Sequence, residues 1–221
     1  MAKFITKFDT TTEFATFSAT TNFGRPHVSL TKDDSKVHYF EDNSHNVHEY
    51  VDLGLPSGTK WATMNVGASS ETDYGNYYQY GKGAAQYAAT SGDSNYSGTE
   101  DPLAASADTA SQVWGGSWHM PTREQMEELI NSTTYEWVEN YKDSGTNGST
   151  FTAKNGAVLF LPAAGSWYNG SLDGVHDRYD YWCSSPDGSD YAYILEFSSG
   201  NEYYLGGSDR ECGYSVRPVV G

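Results

Sequence analysis

A single amphipathic helix set among many short, turn-bounded strands predicts an α+β domain. Two stretches carry that prediction. In the first, Thr122 can cap a helix and Gln125, three residues on, can complete a capping box, while Glu124, Glu127 and Glu128 suit the positive end of the helix dipole. Met126, Leu129 and Ile130 then share one buried face. In the second, residues 181–185, 191–197 and 210–219 read as three strands joined by Gly, Ser and Asp loops. Tyr191, Tyr193, Leu195 and Phe197 alternate with Ala192, Ile194 and Glu196, the period of a strand with one face buried. The loops between are rich in Tyr and Trp, which offer large, rigid contact area with a polar tip, so they suggest a recognition surface on a β-scaffold.

The remaining elements follow in chain order. Residues 1–45 form an N-terminal unit. A Thr- and Phe-rich arm with Phe4, Phe8, Phe14, Phe17 and Phe23 precedes a β-hairpin in which residues 27–30 and 36–40 flank a polar turn at 31–35. A hairpin is not stable alone, so this one should dock on the main domain or on another copy. The polar run 41–48 is the candidate linker. A second unit, residues 46–221, opens with strand, turn and strand across 51–68, then an aromatic cluster of Tyr74, Tyr77, Tyr78 and Tyr80, part core and part surface. Residues 86–111 are Ala-, Ser-, Gly- and Asp-rich and read as a long surface loop. After the helix, Lys154-Asn155-Gly156 marks a hairpin leading into the apolar strand 157–161.

Composition removes several functions. The 221 residues suffice for one good-sized core. A net charge of −16, from 29 acidic against 13 basic residues, repels nucleic acid and anionic membrane surfaces. Cys183 and Cys212 make neither a disulfide scaffold nor a zinc cluster. Charge breaks the first nine residues too early for a secretory signal, and no apolar run reaches membrane-spanning length, so synthesis in the cytoplasm without a signal peptide and no membrane insertion are expected.

The motifs Val51-Asp52-Leu53-Gly54-Leu55-Pro56-Ser57-Gly58, Trp61-Ala62, Asn65-Val66-Gly67-Ala68, Trp118-His119-Met120-Pro121-Thr122, Pro162-Ala163-Ala164-Gly165, Tyr181-Trp182-Cys183-Ser184-Ser185 and Ser215-Val216-Arg217-Pro218-Val219 occur in one order. Over residues 48–221 this order resembles a large paralogous family of gut bacterial and phage proteins with a C-type lectin-like fold. The formylglycine-generating enzymes and the variable proteins of diversity-generating retroelements share that fold. Residues 13–40 resemble the leading segments of gut phage structural proteins. The resemblance implies a formylglycine-generating-enzyme type of C-type lectin-like domain, with its N- and C-terminal strands close together and a variable-type region over residues 165–221. Within that region Trp182, Ser184, Ser185, Ala192, Leu195, Phe197, Gly213, Val216, Arg217 and Pro218 would form a fixed frame. The ligand face would consist of Trp167, Tyr168, Asn169, His176, Asp177, Tyr179, Asp180, Asp190, Tyr203, Tyr204, Asp209, Glu211 and Cys212. By resemblance the chain is a non-enzymatic, virion-associated receptor-binding protein whose partner is a host cell-surface protein or glycan, and a trimeric homo-oligomer would suit a virion tip. A bacterial surface-adhesion paralogue without variability is the alternative, followed by a thiol-dependent oxidase.

The residues weigh against chemistry of their own. Cys183 stands where the family carries Ser, and Cys212 lies between Glu211 and Gly213, so neither matches the oxidase pair, and no electropositive neighbour marks either thiol as activated. A Cys183–Cys212 disulfide stays open at this level, because geometry decides it. The sugar-and-calcium motifs of lectins are absent, and Asp173, Asp177, Asp180, Asp187, Asp190 and Asp209 lack EF-hand spacing. No cofactor or metal is therefore expected. Trp167, Tyr168, Tyr203 and Tyr204 could stack on a sugar, although a protein ligand would use the same residues. Asn147-Gly148-Ser149 and Asn169-Gly170-Ser171 match a glycosylation sequon as patterns only.

Overall fold

A computed structural model describes residues 37–41, 47–83 and 96–221. The α+β expectation gives way to a mainly β fold, with 39% strand and 11% helix among the described residues. Among the described residues there are twelve strands, β1 (Val37–Glu41), β2 (Val47–Val51), β3 (Lys60–Ala62), β4 (Thr133–Val138), β5 (Gly148–Ala153), β6 (Val158–Pro162), β7 (Ser166–Tyr168), β8 (Ser171–Asp173), β9 (Arg178–Asp187), β10 (Tyr191–Ser198), β11 (Tyr203–Asp209) and β12 (Val219–Val220). Two helices accompany them, α1 (Thr109–Val113) and α2 (Arg123–Ser132). The reason for the shift lies in the punctuation of the chain. Gly and Asn at left-handed positions end almost every segment within ten residues, which leaves room for strands but for only one helix of length.

The strands form four small sheets, ordered β1-β2-β3-β12, β11-β10-β9, β4-β5-β6 and β7-β8. In the first, β1 pairs with β2 from Val37↔Val51 to Glu41↔Val47, across the segment expected as a linker. The first strand and turn of the expected 27–40 hairpin, and the arm before it, lie outside the described residues. Strand β12 pairs with β3 through Val219↔Trp61, and His119 bridges to Val219 as well.

Helix α2 starts as its sequence dictates. Gln125 N donates to Thr122 Oγ1 at 3.2 Å and Thr122 N to Gln125 Oε1 at 2.9 Å, a closed capping box. Gln125 Nε2 continues to Thr59 Oγ1 at 3.0 Å, which fastens the helix start to the turn before β3. The Lys154-Asn155-Gly156 turn joins β5 to β6, with Gly156 in the left-handed region at φ 81°.

The sheet β11-β10-β9 divides the interior. Tyr179, Tyr181, Cys183, Leu195 and Phe197 enter one core with Met126, Leu129, Phe151 and Trp61. Trp182, Ala192 and Ile194, on the opposite side, enter a second core with Tyr78, Tyr80, Trp114, Trp118 and Tyr214. Burial on both faces corrects the expectation that β10 hides only one: Tyr191 is exposed and Ala192 and Ile194 are buried. A register shift between Ala192 and Ile194 accompanies the change.

Two further expectations change. The third strand of this sheet is Tyr203–Asp209, not 210–219, because the latter run is drawn into single bridges with Tyr78, Trp167 and Tyr181 on three different segments. The second half of the expected 86–111 surface loop is structural. Leu103, Ala107 and Ala110 are buried in the second core, and Asp108 caps α1 through Ser111 N at 2.8 Å while accepting from Met120 N at 2.8 Å.

Candidate ligand-binding face

The β7-β8 hairpin, the sheet β9-β11 and the loop 210–216 bring most of the sequence-marked residues to the surface. Asn169 and Gly170 connect β7 to β8 with φ of 49° and 74°, the double left-handed turn that an Asn-Gly pair favours. The dipeptide is a strong hairpin signal that a search for loops and sequons passes over. Its tight turn presents Tyr168 and Leu172 outward on short, fixed strands.

Across the sheet, Asp180, Glu196 and Tyr204 form one row, with Asp180↔Glu196 and Glu196↔Tyr204 as direct strand partners. Arg178 ties this row to the hairpin: its Nη2 donates to Ser166 Oγ at 2.8 Å and lies 3.6 Å from Asp173 Oδ2, and its Nε is 3.5 Å from Asp180 Oδ2. Burial and then the neighbouring Glu196 carboxylate push the Asp180 carboxyl up to about 7, against the pull of Arg178. Tyr204 lays its ring over Gly206, where a Cβ would overlap it. Neither Glu196 nor Arg178 was among the residues marked from sequence; a strand alternating charge with apolar residues signals a face only when its partner strands are known.

Tyr168, Tyr191, Tyr203 and Tyr204 keep 48%, 48%, 47% and 52% of their surface in solvent, more than any core position could. Asn169, His176, Asp177, Asp190 and Asp209 are also exposed, and Trp167 and Glu211 are half-buried. They do not form one cluster. His176 Nδ1 sits 3.1 Å from Tyr74 Oη, with His176 O accepting from Asn147 Nδ2, on the side of the 146–147 turn. Trp167 pairs its backbone with Gly213, and Gln79 Nε2 donates to Glu211 O at 3.0 Å. Asp209 stands opposite Tyr191 and, through it, Asp187 at the far end of the sheet, with Asp190 in the adjoining turn. Tyr203 packs on Phe197 and Tyr135 on the reverse face from Tyr204.

The chain matches no family model, no curated protein and no solved structure.

Three residues expected on the ligand face belong inside. Tyr179 is fully buried, its ring 5.4 Å from Phe197 and 5.3 Å from Tyr181, because its position on β9 points into the first core. Asp180 is buried beneath Glu196 and Arg178, and Cys212 is buried in the second core. The ten frame positions are all buried. Arg217, with no exposed surface, donates from Nε to Asn65 Oδ1 at 2.8 Å and from Nη1 to Ala62 O at 3.0 Å.

Both thiols are free. Cys183 lies in one core and Cys212 in the other, on opposite sides of the central sheet, which leaves no route to a mutual bond. Burial raises both thiols above the ordinary cysteine range. Among the described residues no group of three His, Cys, Asp or Glu side chains is placed to hold a metal ion, and no helix is long and apolar enough to cross a membrane.

Proposed function

We propose that the chain is a non-enzymatic ligand-binding protein that displays the residue 165–221 region to a host-surface protein or glycan. The observation that carries this reading is the placement of Tyr168 and Tyr204, on the hairpin and the sheet row that Arg178 ties together. Both are large aromatics held half-open on paired strands, β7 against β8 and β11 against β10, so they bind without the entropy cost of ordering a loop. The resemblance to variable proteins of diversity-generating retroelements and to gut phage proteins supports display on a virion, where many copies add avidity. Buried, protonated thiols support a binding role over thiol oxidation, which needs a thiolate.

The test is a screen of glycans and gut bacterial surface proteins with the wild type and with a Tyr168→Ala, Tyr204→Ala variant. Binding that falls at least about tenfold in the folded variant is expected. Equal binding by the two would overturn the assignment of the face. Sequencing the flanking DNA for a template repeat and a reverse transcriptase tests diversification separately, and their absence removes it.

A further inference from the structure

Strand β11 is an outer strand. β10 pairs with one of its edges and, among the described residues, no strand pairs with the other. An open edge presents a row of N–H and C=O groups, and folds commonly blunt such a row with Lys, Pro or a covering segment. The sequence Tyr203-Tyr204-Leu205-Gly206-Gly207-Ser208-Asp209 contains neither Lys nor Pro; the Tyr204 ring lies over Gly206 and the Asp187 carboxylate over Gly207, while the outer main-chain row has no strand partner among the described residues.

The side chains that bound this edge are acidic. Glu202 and Asp209 are exposed at its two ends, and the Asp187 carboxylate lies over Gly207. From residue 178 to residue 210 the chain carries five carboxylates outside the core, at Asp187, Asp190, Glu196, Glu202 and Asp209, besides the buried Asp180 whose burial favours its protonated form, against the cations Arg178 and Arg210. Arg178 is engaged with Asp173, Asp180 and Ser166. Arg210, the next residue after β11, is buried and donates to the carbonyls of Tyr96, Gly98, Gly188 and Tyr191, so its single charge offsets only one of these carboxylates.

We propose that the β11 edge takes up an extended segment of another protein by strand addition, with Lys or Arg at alternate positions of that segment. The main-chain row selects an extended backbone and the carboxylates select the cations. A second copy of this chain is the poorer occupant, since antiparallel self-pairing about Gly206 would set Glu202 of each copy diagonally beside Asp209 of the other and would join two proteins of net charge −16. The inference rests on the ligand-binding reading and adds the class of its ligand.

The probe is a blocked seven-residue peptide alternating Lys and Val, compared with a Glu-Val counterpart and with a Lys-Val peptide N-methylated at alternate amides. Amide exchange followed by NMR on the whole chain should slow at least tenfold at alternate residues of β11 with the Lys-Val peptide. The Glu-Val peptide should not bind, and the methylated peptide, of equal charge, should bind at least tenfold more weakly. Equal binding of the methylated peptide, protection appearing elsewhere, or a dimer whose β11 amides are already protected would each overturn the proposal. Loss of host-surface binding in the Tyr168 and Tyr204 variant alongside a failed peptide would sink the edge and leave the face standing.

Discussion

Asp180 and Glu196 face each other across β9 and β10, one buried and the other half-open, so two carboxyl groups share a site with one guanidinium. The folded state therefore holds a proton on Asp180 to about pH 7, whereas the unfolded chain releases it near the ordinary aspartate value of 3.8. A carboxyl raised on folding weakens the fold as pH climbs from the unfolded value to the folded one, and the loss is complete above the latter. Asp180→Asn removes the charge, and the half-exposed Arg178 stays solvated. Urea melts should show the variant equal to wild type near pH 4 and more stable above pH 7, on the order of a few kcal/mol. A gain that is constant across pH would remove the shared-proton account.

The buried thiols make a kinetic prediction. Disulfide reagents at about pH 8 should label Cys183 and Cys212 only as fast as the chain opens, and urea should accelerate both reactions together. Rapid labelling of either in the native protein would contradict its burial. Cys183→Ser, which puts a hydroxyl into an apolar core, should cost about 1–3 kcal/mol.

Asp108 serves two backbone donors that are 9 residues apart in sequence, Ser111 N and Met120 N. Asp108→Ala leaves both without their acceptor next to the Trp114 and Trp118 core, at a cost of about 2–4 kcal/mol. Asn, which keeps one carbonyl oxygen, should recover part of it in the same denaturation series.

Two glycines should respond in opposite ways. A Cβ at Gly165, where φ is 65°, meets the backbone of Asp173 and Val175, so Gly165→Ala should cost at least about 2 kcal/mol. A Cβ at Gly206 meets only the far end of the Tyr204 ring, which can swing away. Gly206→Ala should stay within about 1 kcal/mol of wild type while shifting the Tyr204 ring resonances in NMR spectra, altering the face without altering the scaffold.

Much of the local structure was legible in the sequence, because it is local chemistry. The Thr122–Gln125 box and the Asn155–Gly156 turn depend on neighbours within three or four residues, and both stand where the pattern put them. What failed was nonlocal. Tyr191 to Phe197 has the period of a half-buried strand, yet its second face is covered by Tyr80, Trp118 and Tyr214, which arrive from distant parts of the chain. The same cause misplaced Tyr179 and Cys212, whose residue types suit a binding face but whose positions point into the two cores. The row Asp180, Glu196, Tyr204 spans 25 residues and appears only once the strand register is known.

The pairing of β12 with β3 has a bearing on biogenesis. Trp61, made early, pairs with Val51 on one side at once but finds its other strand partner, Val219, last, and until that residue has cleared the ribosome both cores stand open along one side. The nascent chain therefore has to be kept from sticking through its exposed aromatics for most of its synthesis, and loss of Val219 and Val220 would leave both cores uncovered along that side.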